Sequence, residues 1–401
     1  MLRRLRLKVY LTFATFSAPS LTFLHLRTST PVLGSCRGSK EMELHENKPN
    51  PGEGEATRIV QAFGLRACPK LVEQLSGEDL NVRVNVLAVL CEEFKNPYTI
   101  QGCARAGVVR VLATMVSDPD YVTRERSSRA LALLAEDANG LSSILEDEDG
   151  AVVVEILNGI KDPSETVRSN VYDCILNITR TRRGVESCVI AGVASSFAEV
   201  AKREMDALKP KVLASLHNMA NSADGMVQAL NAGCVEICIG LLRDGDSSAP
   251  PRSGDSAETK SMAAKTLGLL CFDEEAKIAA LEHQAIAALM GLCTGPHSTS
   301  TAVKTNATLA LMAITSTDEG KRQLAGNSDW VKLLSNLVYD DCKAVRLHIL
   351  KLLTNAAVYP PIRPFLLEDA PFMNFLKKLA SADKLVEKHA KLALDAINWT
   401  P

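Results

Sequence analysis

The sequence predicts an all-α protein, a right-handed superhelical solenoid built from about eight copies of one helical module. Three observations predict it. A basic residue recurs eight times at nearly constant spacing. Apolar residues follow it at offsets of four and seven, which puts them on one helix face. Glycine and proline punctuate the copies at matching places. With 46% hydrophobic and 4% aromatic residues in 401, the chain has enough apolar content for a core of mostly Leu, Val, Ile and Ala, and is not a wholly disordered protein.

The chain opens on a segment unlike the rest. Residues 1–40 hold Arg3, Arg4, Arg6, Lys8, Arg27, Arg37 and Lys40 and no acid, whereas the whole chain has 45 Lys+Arg against 47 Asp+Glu. From Met42 onward the balance is therefore 38 against 46, a mildly acidic body. The apolar stretch from Val9 to Phe16 is too short to span a bilayer, which needs about 20 residues. Three readings compete: a mitochondrial transit peptide, a secretory signal cleaved after Ala18, and a start of translation at Met42. Eleven cysteines, odd in number and without framework spacing, weigh against secretion. Cys91, Cys174 and Cys271 fall in apolar helical patterns, where a thiol acts as a small hydrophobe. Cys234 and Cys238 share a helix face but lack further ligands for zinc. Pro49, Pro51, Gly52 and Gly54 mark a tether, so residues 1–57 are expected to be a disordered basic leader and linker.

The repeat domain is expected over 58–401. Its clearest copies are Val82-Arg-Val-Asn-Val-Leu-Ala-Val-Leu90, Val167-Arg-Ser-Asn-Val-Tyr-Asp-Cys-Ile175, Val303-Lys-Thr-Asn-Ala-Thr-Leu-Ala-Leu311 and Val345-Arg-Leu-His-Ile-Leu-Lys-Leu-Leu353. The basic positions read as Arg83, Arg126, Arg168, Lys209, Lys260, Lys304, Arg346 and Lys388, at intervals of 43, 42, 41, 51, 44, 42 and 42. Behind them lie pairs such as Leu87 and Leu90, Ala130 and Leu133, Leu213 and Leu216, and Leu350 and Leu353. A second apolar helix precedes each, as in Val108–Val116 and Ala151–Leu157. It begins after Ala106-Gly107, Asp149-Gly150, Ala191-Gly192 or Ala232-Gly233, where glycine can take the left-handed conformation. Asp118-Pro119 and Asp162-Pro163 separate it from the long third helix. The interval from Lys209 to Lys260 is lengthened by a polar insertion at 243–258. Three helices in about 42 residues is the plan of armadillo repeats, while HEAT units usually have two. One unit cannot bury its own apolar face, so stacking supplies the core, with the first and last units as caps.

In armadillo arrays the third helices line a concave surface. Offsets two, five and nine from the basic residue are expected to face outward there. Offset nine gives Asn177, Asn218 and Asn355, but Glu92, Ala135, Leu269, Ala313 and Ile397 elsewhere. An amide ladder can hold an extended peptide backbone, one donor and one acceptor per side chain. Offset five gives Ala88, Leu131, Asp173, Ala214, Lys265, Leu309, Lys351 and Ala393. The candidate protein-binding residues are therefore Asn177, Asn218, Asn355, Asp173, Lys265 and Lys351, with Leu131, Leu269 and Leu309 as apolar groove positions. Nuclear-import adaptors of this fold pair a tryptophan with the asparagine, but Trp330 and Trp399 both lie outside the motif. The recurring cation is expected to pair with an acid of the adjacent unit, since left alone it would oppose the helix dipole.

Nothing in the chain reads as catalytic. Gly233 to Gly245 lacks the Lys-Ser/Thr ending of a phosphate-cradling loop, and no Gly-x-Ser-x-Gly elbow occurs. His25, His45, His217, His283, His297, His348 and His389 are dispersed. The run Glu146-Asp-Glu-Asp149 lacks the alternating ligands of a calcium loop. No enzyme, cofactor, metal, small-molecule substrate or membrane partner is expected, and a net charge of −2 with few aromatics gives no case for nucleic acid.

The detail goes beyond a generic array. Ala62-Phe-Gly-Leu-Arg-Ala-Cys-Pro-Lys-Leu-Val-Glu-Gln-Leu75, Ala279-Ala-Leu-Glu-His-Gln-Ala-Ile286 and Lys304-Thr-Asn-Ala-Thr-Leu-Ala-Leu311 followed by Glu319-Gly-Lys321 resemble segments of the armadillo-repeat radial spoke head protein family, also called rhabdoid tumour deletion region protein. The resemblance runs over most of residues 55–401. It implies a non-enzymatic scaffold in the radial spoke of motile cilia and flagella, binding other spoke proteins within the axoneme. The alternative is a soluble adaptor that binds extended peptides in the cytoplasm or nucleus, or a mitochondrial protein if the leader is a transit peptide. An axonemal protein needs no such leader, so this resemblance favours Met42 as the start.

Overall fold

Helices build the body from Gly64 onward, and no strand occurs among the described residues. The structure, a computed structural model, describes residues 64–146, 149–243, 257–294, 298, 300–379 and 384–399. The expected leader and linker at 1–57, the central part of the 243–258 insertion and the middle of the Glu146–Asp149 run lie outside them.

Eight long helices carry the repeat: α1 (Leu80–Glu93), α2 (Tyr121–Glu136), α3 (Glu165–Thr179), α4 (Lys209–Ala220), α5 (Ala257–Leu270), α6 (Thr301–Ile314), α7 (Lys343–Ala356) and α8 (Lys384–Asn398). Each is preceded by a shorter helix, from Ala67–Leu75 through Val108–Met115 and Cys234–Leu242 to Ala370–Leu379. From the second unit on, a further short helix comes first, such as Pro97–Arg105 or Arg182–Ile190. Each long helix packs on the next, α1 on α2 and so on to α8, making one continuous row. The armadillo plan expected from the sequence is the observed one.

Local chemistry sets these boundaries. Asp79 caps α1, accepting from Asn81 N at 2.8 Å and Val82 N at 3.4 Å, and Asp120 caps α2, accepting from Thr123 N at 2.7 Å. Gly107, Gly150, Gly192 and Gly233 hold φ between 66° and 81° at the turn from first to second helix, as anticipated. In the sixth unit Gln284 takes this role at φ 56°, a conformation that disfavours side chains.

The core is one apolar cluster running from Leu75 to Ile397. Leu87, Leu90, Leu213, Leu216, Leu350 and Leu353 are all buried in it, as the offsets predict. Two copies differ from the sequence reading. In α2 Ala130 is buried as expected, but Ser127, Ser128, Leu131 and Leu134 are buried with it, while Leu133 is only half-buried. The equivalent of Arg83 is thus Arg124, not Arg126, and Leu131 is core rather than groove. In α8 the buried set Val386, Ala390, Ala393 and Ile397 matches Val345, Ile349, Leu352 and Ala356 of α7, which puts Glu387, not Lys388, at the cation position and Ile397 in the core.

With this register, the recurring cation joins units as expected. Arg83 pairs with Asp118 at 3.6 Å, Arg124 with Asp162 at 2.6 Å and Arg168 with Glu204 at 2.9 Å; Lys304 pairs with Asp340. Each acid sits in the turn before the next unit's long helix. The arginines also reach back: Arg124 Nη1 donates to Asp118 O and Pro119 O, and Arg168 Nη1 donates to Asp162 O and Pro163 O. One side chain thereby ties its own turn to its neighbour's. Lys209 departs from the pattern, pairing with Asp206 of its own turn at 2.6 Å. Glu204 is the most enclosed of these acids, also accepting from Tyr172 OH at 2.5 Å and Met205 N at 2.9 Å. Burial pushes its carboxyl up, but the Arg168, Tyr172 and Met205 bonds outweigh burial and hold it below the usual range.

Candidate functional site

The row of long helices leaves one face uncovered by the shorter helices. On α4 that face shows Lys211, Ala214, His217 and Asn218, on α5 Met262, Lys265 and Leu269, and on α7 His348, Lys351 and Asn355, all half-buried. Their spacing of three, four and seven makes them a single stripe on each helix.

Offset two lies on this face, but its side chains do not extend away from it. They reach sideways to the preceding long helix. Arg126 Nη1 donates to Val84 O at 2.6 Å, Asn170 Nδ2 to Glu125 O at 3.3 Å and Ser128 Oγ at 3.1 Å, and Lys211 Nζ to Ser169 Oγ at 2.8 Å. Asn306 Nδ2 donates to Ser261 O at 3.1 Å, and His348 Nδ1 to Thr305 O at 3.2 Å. Five side chains of four kinds thus perform one task, bonding consecutive helices across the open face. Residue-type matching misses this set, because the shared property is reach and a donor.

The six candidate residues divide accordingly. Asp173 accepts from Lys211 at 2.7 Å, and Asn218 Nδ2 donates to Thr179 Oγ1 at 3.3 Å, so both also brace adjacent units. Asn177 is only 7% exposed and offers little of its amide to a partner. Lys265, Lys351 and Asn355 lie on the face with no side-chain partner among the described residues. Leu269 and Leu309 are half-buried between them.

Charge changes along the row. Helices α1 to α3 carry Arg83, Arg124, Arg126, Arg129 and Arg168 against Glu92, Glu93, Glu125, Glu136, Glu165 and Asp173. Helices α4 to α7 carry Lys209, Lys211, Lys260, Lys265, Lys304, Lys343, Arg346 and Lys351 against Glu258 alone. The imidazoles here do not add charge at neutral pH. Burial, with help from Lys265, lowers His217 to about 4, and burial and Lys351 lower His348 despite its bond to Thr305 O. Burial, Lys351 and Lys388 likewise lower His389.

Among the described residues no three His, Cys, Asp or Glu side chains gather as a metal site requires, and no single helix is long and apolar enough to cross a membrane. Burial raises the thiols of Cys91, Cys174, Cys188, Cys234, Cys238 and Cys271 far from the nucleophilic range.

No protein-family model matches the sequence. The chain is similar to radial spoke protein 14 of Chlamydomonas reinhardtii, at 28% identity over 263 residues, which is 63% of this chain and 65% of that protein. The match therefore spans slightly less than two thirds of the relative's length. Among solved structures, an engineered protein superposes with a TM-score of 0.71 at 22% identity, covering 84% of this chain and 79% of its own. A designed armadillo repeat protein superposes with a TM-score of 0.51 at 20% identity over 62% of this chain and 99% of its own. Another, in complex with the peptide (KR)4, gives 0.52 at 19% identity over the same shares. These structures establish the fold as an armadillo-repeat solenoid.

Proposed function

We propose that the chain is a non-enzymatic scaffold subunit of the ciliary or flagellar radial spoke, holding other axonemal proteins along its helical row. The similarity to radial spoke protein 14 carries this reading, since it runs over most of the helical body. The open face supports it. In the corrected register, offset five carries Ala88, Arg129, Asp173, Ala214, Lys265, Leu309, Lys351 and Leu392, and offset nine carries Glu92, Leu133, Asn177, Asn218, Leu269, Ala313, Asn355 and Ala396. An adaptor for many extended peptides would repeat one side chain to hold a repeating backbone. This mixed face fits partners of fixed shape, consistent with permanent assembly into the axoneme.

The chain is expected to sediment with detergent-extracted axonemes and to leave with the spoke fraction on salt extraction. Recovery solely in the membrane-plus-matrix or mitochondrial fraction would overturn the reading.

A further inference from the structure

Lys265 on α5 and Lys351 on α7 stand at the same offset in units two apart, and Leu309 holds that offset on α6 between them. Four cations of α4 to α7 are engaged as follows: Lys209 with Asp206, Lys211 with Asp173, Lys304 with Asp340, and Arg346 with Asp340 O. Lys265 and Lys351 form no such pair among the described residues. They are also only half-exposed, on a face that carries the half-buried Leu269, Leu309 and Met312 as well. No carboxylate of α5 to α7 lies on this stripe to neutralise them; Glu258 stands at the first turn of α5. An anion meeting a cation on a half-buried face gains a Coulomb attraction that water and salt screen less than at a fully exposed site.

Resting on the scaffold reading above, we propose that the α5 to α7 stretch of the open face binds an extended acidic segment of a partner protein, with Lys265 and Lys351 each meeting one carboxylate and Leu309 meeting an apolar side chain between them. Geometry sets the spacing. Packed helices lie about 8–10 Å apart, so the two lysines are separated by ~16–20 Å. An extended chain advances about 3.3 Å per residue, which places the two carboxylates about five or six residues apart. Asn355 lies one turn beyond Lys351 on the stripe, where its unpartnered amide can bond the segment's backbone. A nucleic acid fits worse: its charges follow one another at roughly 3.4 Å per strand, and two isolated lysines separated by a leucine do not track them.

The test uses the full chain and fluorescein-labelled peptides with two glutamates about six residues apart and a leucine midway. Anisotropy is expected to report binding that weakens with salt. Lys265→Glu and Lys351→Glu are each expected to weaken it by about fivefold, while a peptide with lysines in place of the glutamates recovers binding to the double variant. Circular dichroism checks that both variants remain folded. The inference is overturned if the glutamate peptide binds no more tightly than its lysine counterpart, if both substitutions leave affinity unchanged, or if an oligothymidylate of similar length binds more tightly. Axonemal sedimentation of the wild-type chain is read separately, so loss of peptide binding with sedimentation retained removes this inference and leaves the scaffold.

Discussion

At the scale of single residues, the open face carries its own pH response. His217 Nδ1 is buried without a hydrogen-bond partner, and burial with nearby Lys265 holds the imidazole at about 4 against 6.5 when exposed. The unfolded chain therefore binds a proton that the folded chain refuses between these values. Stability from this group is complete above about pH 6.5 and falls as pH drops towards 4, at up to ~1.4 kcal/mol per pH unit. Lowered His348 and His389 act in the same direction. Carboxylates held low, such as Glu204 and Asp340, act at more acidic pH, where they lose their charge and their pairs. Urea unfolding should accordingly show wild-type stability falling between pH 7 and 5, and His217→Leu should reduce that fall by about 1 kcal/mol while leaving some slope from the other two. An unaltered slope in the variant would mean His217 is solvated in the native protein.

The element scale explains why the units turn as they do. Thr181, Ser222 and Thr317 each cap a first helix by accepting from a glycine N–H three residues on. Those glycines lie against the end of the preceding long helix. A Cβ at Gly184 would stand 1.9 Å from Ile178 O, and one at Gly225 2.1 Å from Met219 O. Gly184→Ala is expected to force the two helices apart, at about 1–3 kcal/mol. Gly240→Ala, with nothing within 4 Å, should instead stabilise its helix by roughly 0.5–1 kcal/mol. Equal melting temperatures for the two variants would show that the turn is not close-packed. This scale also explains what was legible in the sequence. The left-handed glycines and the apolar offsets revealed the helices because they are local. The register of α2 was misread because Arg124, Arg126 and Arg129 compete for one position, and the cap resolves them: Asp79 and Asp120 each stand four residues before the true cation. The partners of Arg83, Arg124 and Arg168 lie 35, 38 and 36 residues downstream in another unit's turn, which only stacking brings near. The face residues were recoverable at Lys265, Lys351 and Asn355, whereas burial of Asn177 depends on neighbours that no single-helix pattern contains.

For the whole molecule, stacking is the source of both stability and function. Each interior long helix contacts its two neighbours in the row, so stability should be a sum of unit terms and nearest-neighbour terms. Leu216 on α4 and Ile397 on α8 are equally buried, at 1% exposure, yet they occupy different places in that sum. Leu216→Ala leaves a cavity in an interior unit, and the loss, about 2–5 kcal/mol, weakens the interfaces with both α3 and α5. Ile397→Ala leaves one in the terminal unit, which has a neighbour on one side only. Hydrogen exchange should report faster exchange spreading into α3 and α5 for the first variant. For the second it should be confined to the last unit, with α1 to α4 protected as in the wild type. Loss of protection along the entire row on Ile397→Ala would mean that the array unfolds as one cooperative body. The same reasoning places the partner face. The α5 to α7 stretch has stacked units on both sides, so its lysines are held at a fixed separation, and a terminal unit free to fray would not keep that spacing for a rigid assembly.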